Sequence, residues 1–209
     1  TSAQLASACF PLGEQTKTVT RRIAADAGLQ PLAGKESQDI CFIQDGVYRT
    51  FLNQQPGFAS IPGPIVTSDG KRLGTHRGLY RYTVGQRRGI GIPGPEPYYV
   101  VRLEPDTNQL VVGLKQELFS SGCCVVEINW IDQPPQMPIE VMARIRYRHQ
   151  AVAARLLPLP DNGARLRFSA PQKAVTPGQG AVFYAGDRVL GGGWISTPTA
   201  GKEGHHVCE

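Results

Sequence analysis

Cys41 lies in the run Ser37-Gln38-Asp39-Ile40-Cys41-Phe42-Ile43. A thiol can act as a nucleophile or carry a transferable sulfur, but only as the thiolate, so pKa and access decide its competence. Asp39 and Asp45 nearby disfavour the thiolate, and Lys35 favours it. Read from its neighbours alone, between Ile40 and Phe42, Cys41 is a buried structural cysteine.

The second chemical signal is cationic. Residues 71–95 hold Lys71, Arg72, Arg77, Arg81, Arg87 and Arg88 and no acid. Residues 141–160 hold Arg144, Arg146, Arg148 and Arg155, again with no acid. Tyr80, Tyr82 and Tyr147 are interleaved with them. Guanidinium groups beside planar rings suit phosphate contact combined with base stacking. Alternating arginines on a strand can equally form a solvated face.

Weaker candidates read as structural. His76 could be a base or an RNA contact, but a lone histidine is more often part of the scaffold. Tyr82 to Gly89 has the look of a phosphate loop without the helix that should follow one. Leu190-Gly191-Gly192-Gly193 reads as a tight strand bend, and Cys123-Cys124 as core strand. His205, His206 and Cys208 fall in a tail from Thr197 that reads as disordered, and no metal site is expected.

These residues need elements to hold them. Thr16 can cap a helix running to Ala27, with Val19, Ile23 and Ala27 at four-residue spacing and Gly28 as its stop. Residues 37–43 end as a short strand, and Asp45 can cap a short helix containing Tyr48, Phe51 and Leu52. Strands are then predicted at Ile65–Thr67, Tyr98–Leu103 and Gln109–Gly113, with turns at Ser68-Asp69-Gly70 and Pro105-Asp106-Thr107-Asn108. A further set covers residues 123–131, Val141–Tyr147, Ala151–Leu157, Ala164–Phe168, Ala181–Tyr184 and Val189-Leu190. Short strands at turn spacings near ten residues predict a small barrel or sandwich.

Composition agrees with this plan. The 209 residues include 24 Gly and 17 Pro, scattered rather than periodic, as frequent turns between short strands require. The net charge of +5 suits an anionic partner. No apolar run approaches the roughly 18 residues of a membrane helix. A soluble, cytoplasmic chain without a membrane partner is expected, and its five cysteines, without CxxC spacing, are expected as free thiols.

Several motifs together carry a resemblance. Phe10-Pro11-Leu12-Gly13, Gly34 to Ile43, Gly74-Thr75-His76-Arg77-Gly78-Leu79, Tyr82 to Gly89, Arg146-Tyr147-Arg148, Val175 to Gln179 and Leu190 to Gly193 occur in order. This series resembles the tRNA-uridine 2-sulfurtransferase (2-thiouridylase) family from about residue 4 to 196. The family opens with a nucleotide-binding domain bearing a Ser-Gly-Gly-Val-Asp-Ser type loop, which these 209 residues lack. Neither G-x-G-x-x-G nor G-x-x-x-x-G-K-[ST] replaces it.

The resemblance implies a division into a helical linker and remnant of the ATP domain over 1–36, a central domain with the persulfide cysteine over 37–118, a tRNA-binding β-barrel over 119–198 and a disordered tail over 199–209. The fold class is then mainly β with a short helical N-terminal linker. ATP, with Mg, is expected in the missing domain, where it supplies the leaving group by adenylating the uridine O2, and none is expected on this chain. Cys41 matches the persulfide cysteine, loaded by a sulfur-relay protein. Arg146 and Tyr147 match a tRNA-contacting pair, and Gln179 another tRNA contact. Glu36, where the family often has Asp, and the compact Gly91–Pro95 connection depart from the pattern.

The implied activity is conversion of the wobble uridine of tRNA to 2-thiouridine, with this portion inactive without its ATP domain. Two alternatives stand beside it: an RNA-binding module without chemistry, and a persulfide carrier acting without RNA.

Overall fold

The computed structural model describes residues 1–29, 48–147 and 149–196, with the Arg49 side chain excepted. The chain divides into two compact units, residues 2–59 and Ser60 onward.

In the first unit, helices α1 (Ser2–Ala6), α2 (Lys17–Asp26) and α3 (Tyr48–Asn53) are formed. Helix α2 starts as its sequence dictates: Thr16 is extended and its hydroxyl accepts from the Val19 N–H at 3.4 Å. Gly28, with φ of +72°, follows the helix end, where a left-handed residue is favoured. Val19 and Ile23, its apolar stripe, stay exposed. The strand predicted over residues 37–43 and the Asp45 cap lie outside the described residues.

The second unit begins with a four-stranded sheet of β1 (Gly63–Thr67), β2 (Arg72–His76), β3 (Tyr99–Glu104) and β4 (Gln109–Gly113), in the order β2-β1-β4-β3. The β1–β4 pair is parallel and the others are antiparallel. Both predicted turns form: Gly70 closes β1–β2 with a bond from its N–H to the Thr67 carbonyl, and Asn108 closes β3–β4 on Pro105. Ile65, Ile90, Val100, Leu110 and Val112 make its core.

A closed antiparallel barrel follows. Strands β5 (Phe119–Trp130), β6 (Ile139–Arg144), β7 (Val152–Leu159), β8 (Gly163–Lys173), β9 (Gly180–Ala185) and β10 (Arg188–Ser196) run in the order β10-β5-β8-β7-β6-β9 and close on themselves. The fold is therefore mainly β, with the predicted barrel present. Alternation drives it: Val141 and Ala143 point inward from β6, as do Ala154 and Leu156 from β7 and Ala181 and Phe183 from β9, and Ile145 just after β6 joins the same core.

One predicted strand is corrected. A strand is predicted over Val141–Tyr147, but β6 ends at Arg144. A turn follows, closed by the His149 N–H on the Arg146 carbonyl at 3.2 Å, and Tyr147 is 82% exposed. Gly191 to Gly193 lie within β10, where pairing shifts register on both sides of them. A Cβ on Gly192 would sit 2.6 Å from the Ala181 carbonyl oxygen, so the bend needs a residue without a side chain.

Candidate nucleic-acid interface

The outer faces of β6, β9 and β10, with the turn after β6, bring two of the barrel's arginines to one place. Arg144 pairs across to Val182, and Trp194 to Gly180, all on the face away from the core. Arg144, Arg146, Tyr147, Gln179 and Trp194 line one open cleft of about 460 Å³. No carboxylate lines it.

Both arginine side chains and the Gln179 backbone are held. The Arg146 guanidinium donates to the Lys173 carbonyl at 2.9 Å. The Arg144 guanidinium lies 5.9 Å from the Tyr184 ring centre, within cation–π range. Gln179 sits after Gly178, whose φ of +81° makes the turn. That turn is strapped to β10 twice, by Gly178 N–H on the Ile195 carbonyl and Ile195 N–H on the Gln179 carbonyl, both at 2.8 Å. His149 accompanies the cluster, with a ring nitrogen 3.2 Å from the Gln172 amide oxygen. Burial and the neighbouring Arg146 charge push its pKa down.

The two cationic windows divide differently from their composition. In residues 141–160, Arg144 and Arg146 reach the cleft, whereas Arg155 faces Glu140 at 4.0 Å as a solvated pair. Arg148 lies outside the described residues. In residues 71–95, Arg81 lies over the Tyr80 ring, and Tyr82 packs on the sheet core rather than presenting a face. Arg87 and Arg88 are exposed on a turn docked to β3 through Gly85 N–H on the Val100 carbonyl and Val100 N–H on the Gln86 carbonyl. No helix follows that turn, so it is not a phosphate loop of the helix-capped kind.

His76 belongs to the scaffold. It is buried, its Nδ1 accepts from the Gly78 N–H, and its Nε2 faces the Asn108 carbonyl at 3.0 Å. The ring fixes the β2 end against the β3–β4 turn. Cys123 is a strand residue whose thiol pKa burial pushes up to about 12. Cys9 and Cys123 are free, but Cys124 is disulfide-bonded, against the expectation of free thiols throughout.

Three family models match the chain in order. The tRNA methyl transferase HUP domain matches residues 1–45, the tRNA methyl transferase PRC-barrel domain residues 49–114, and the aminomethyltransferase beta-barrel domain residues 120–195. The chain is 48% identical over 195 residues to the tRNA-specific 2-thiouridylase MnmA of Geotalea uraniireducens, covering 93% of this chain and 52% of that protein. It is equally 48% identical to the enzyme of the same name from Magnetococcus marinus, covering 93% of this chain and 55% of the relative. This chain belongs to the tRNA-specific 2-thiouridylase family. It spans about half the length of the curated relatives it matches.

Within this 2-thiouridylase-family chain, Arg146, Tyr147 and Gln179 meet at one cleft although 33 residues separate the first from the last. Cys41 lies outside the described residues, as do Lys35, Asp39, Asp45 and the His205, His206 and Cys208 cluster. Sequence reading passed over Trp194 and Lys173. A tryptophan directly after three glycines, at an outward position of a barrel strand, was the available signal for the first. Lys173 contributes through its main-chain carbonyl, which no side-chain pattern can reveal. Among the described residues, no helix is long and apolar enough to cross a membrane.

Proposed function

We propose that this chain is the sulfur-carrying and tRNA-binding portion of an ATP-dependent tRNA 2-thiouridylase acting on the wobble uridine in the cytoplasm. The observation that carries the reading is the convergence of Arg146, Tyr147 and Gln179 on an acid-free cleft of the barrel, in a chain 48% identical to named 2-thiouridylases. Arg146 offers a planar fork to a phosphate, Tyr147 a ring face to a base, and Gln179 a polar edge. The fixed Arg146 geometry means little rotamer freedom remains to be lost on binding.

Cys41 is the residue proposed to carry the outer sulfur of a persulfide, delivered by a donor protein of the sulfur-relay class. Cys123 is a poor candidate for that role because its thiol stays protonated at neutral pH. No nucleotide loop occurs in the 209 residues, so ATP binding is not assigned to any of them.

The test is genetic and chemical. In cells lacking their own 2-thiouridylase, the gene product containing this sequence restores 2-thiouridine in tRNA, and its Cys41→Ser variant does not. Full thiolation by the variant removes Cys41 from the chemistry and leaves an RNA-binding module as the reading. Separately, Arg146→Ala and Tyr147→Ala each weaken tRNA binding. A persulfide carrier that works without RNA predicts no salt-dependent tRNA binding by the unaltered chain.

A further inference from the structure

Trp194 stands out among the aromatic residues of the barrel. It is 54% exposed, whereas Trp130, the other tryptophan, packs against Phe183 with ring centres 5.8 Å apart. Covering its exposed indole with a ligand is favourable in proportion to the apolar area buried.

The space beside it is open by construction of the backbone. Its partner across the β9–β10 pair is Gly180, and a Cβ built there meets no atom within 4 Å. The glycine is not needed for a left-handed turn, since its φ is not positive. Its effect is to leave a gap next to the ring. Tyr147 brings a second exposed ring to the same cleft, with Arg144 and Arg146 as the charges. Two ring faces, two guanidinium groups and no carboxylate around one gap match the chemistry of unpaired nucleotides. Bases stack on rings in a sequence-tolerant way while phosphates take the charges.

We propose that Trp194 is a base-stacking platform for an unpaired RNA nucleotide, which enters through the gap left by Gly180. This rests on the reading of the cleft as an RNA site and adds a residue and a subsite to it. It also predicts a preference for single-stranded or looped RNA over blunt duplex, whose bases are already stacked on one another.

The experiment uses the 209-residue chain and its intrinsic tryptophan emission, titrated with short oligouridine and with a blunt RNA duplex at low and moderate salt. Oligouridine is expected to quench emission in the unaltered chain, and the quench is expected to vanish in Trp194→Phe while most of the affinity remains. Trp194→Ala is expected to weaken oligouridine binding about 5- to 150-fold, the range of one lost base stack. Gly180→Leu is expected to weaken it comparably without changing the salt dependence, because no charge is removed. Circular dichroism establishes that each variant is folded. Oligouridine binding with unchanged tryptophan emission and unchanged affinity in Trp194→Ala overturns the stacking role; if Arg146→Ala still weakens binding, the RNA reading survives. Equal quenching and affinity with duplex also overturns it. Absence of any RNA binding by the unaltered chain at low salt overturns both.

Discussion

The Arg146 guanidinium and the Lys173 main-chain carbonyl are joined by a 2.9 Å hydrogen bond, so the arginine at the cleft is also a strut between the β6–β7 turn and the end of β8. The same stretch ties the barrel to the sheet. The Lys173 ammonium lies 5.6 Å from the Tyr99 ring centre on β3, and the Ala174 N–H donates to the Leu118 carbonyl at 2.8 Å. The cleft is thus braced from the side facing the central sheet.

Arg146 substitutions are expected to show both roles. Arg146→Ala should cost about 1 kcal/mol of stability, since one charged hydrogen bond in a partly solvated site is lost. It should weaken RNA binding in a way that flattens the salt dependence by about one phosphate contact. Arg146→Lys keeps the charge without the planar fork, so its salt dependence should match the parent while affinity falls. Urea unfolding and RNA titration at several salt concentrations measure the two effects.

His76→Ala is expected to destabilise by about 2–4 kcal/mol, because it empties a buried site and strands the Gly78 N–H and the Asn108 carbonyl. RNA affinity of the protein that remains folded should be unchanged. A loss of RNA binding without a fall in thermal midpoint would move His76 out of the scaffold and into the site.

The cysteines should differ sharply toward an alkylating reagent. Cys9 is exposed and should react in the native protein at pH 7.5, whereas Cys123, with a thiol pKa near 12, should react only in denaturant. Mass spectrometry of peptides after timed iodoacetamide exposure reads this directly.

His149 gives the molecule a pH dependence of known sign. Burial, and then the Arg146 charge, lower its folded pKa below the usual 6.5, so the unfolded chain binds the proton more readily. Stability from this group is complete above about pH 6.5 and declines as pH falls toward the folded value. The loss should be modest because the ring is only partly buried. Thermal midpoints at pH 7.5 and pH 5.5 should differ more for the parent than for His149→Gln.

Gly192→Ala should cost about 1–3 kcal/mol, since the new methyl group meets the Ala181 carbonyl oxygen and backbone must move. The thermal midpoint checks it.

What the sequence made legible follows from the range of the interactions involved. Helix α2 could be read because Thr16, Val19 and Gly28 are local signals that no distant contact overrides. The Asp69-Gly70 and Pro105-Asp106-Thr107-Asn108 turns were readable for the same reason. The strand predicted over Val141–Tyr147 ran too far because alternation says where a strand's faces point but not where the strand stops; the turn at Arg146 decides that. His76 could not be assigned before its two partners were known, one of which is Asn108, remote in sequence. The resemblance pointed to Arg146, Tyr147 and Gln179, while Trp194 needed the barrel register that sets it opposite Gly180.

Barrel closure has a kinetic consequence. The cleft draws on β6, β9 and β10, so its parts meet only when β9 bridges a strand distant in sequence and its immediate neighbour. Such non-local pairing pays its loop-closure entropy before any contact rewards it, and is formed slowly. No partly folded chain lacking the β6–β9 seam can present the cleft. Any ligand of that face therefore recognises the finished barrel alone, and by mass action holds the seam shut against local opening.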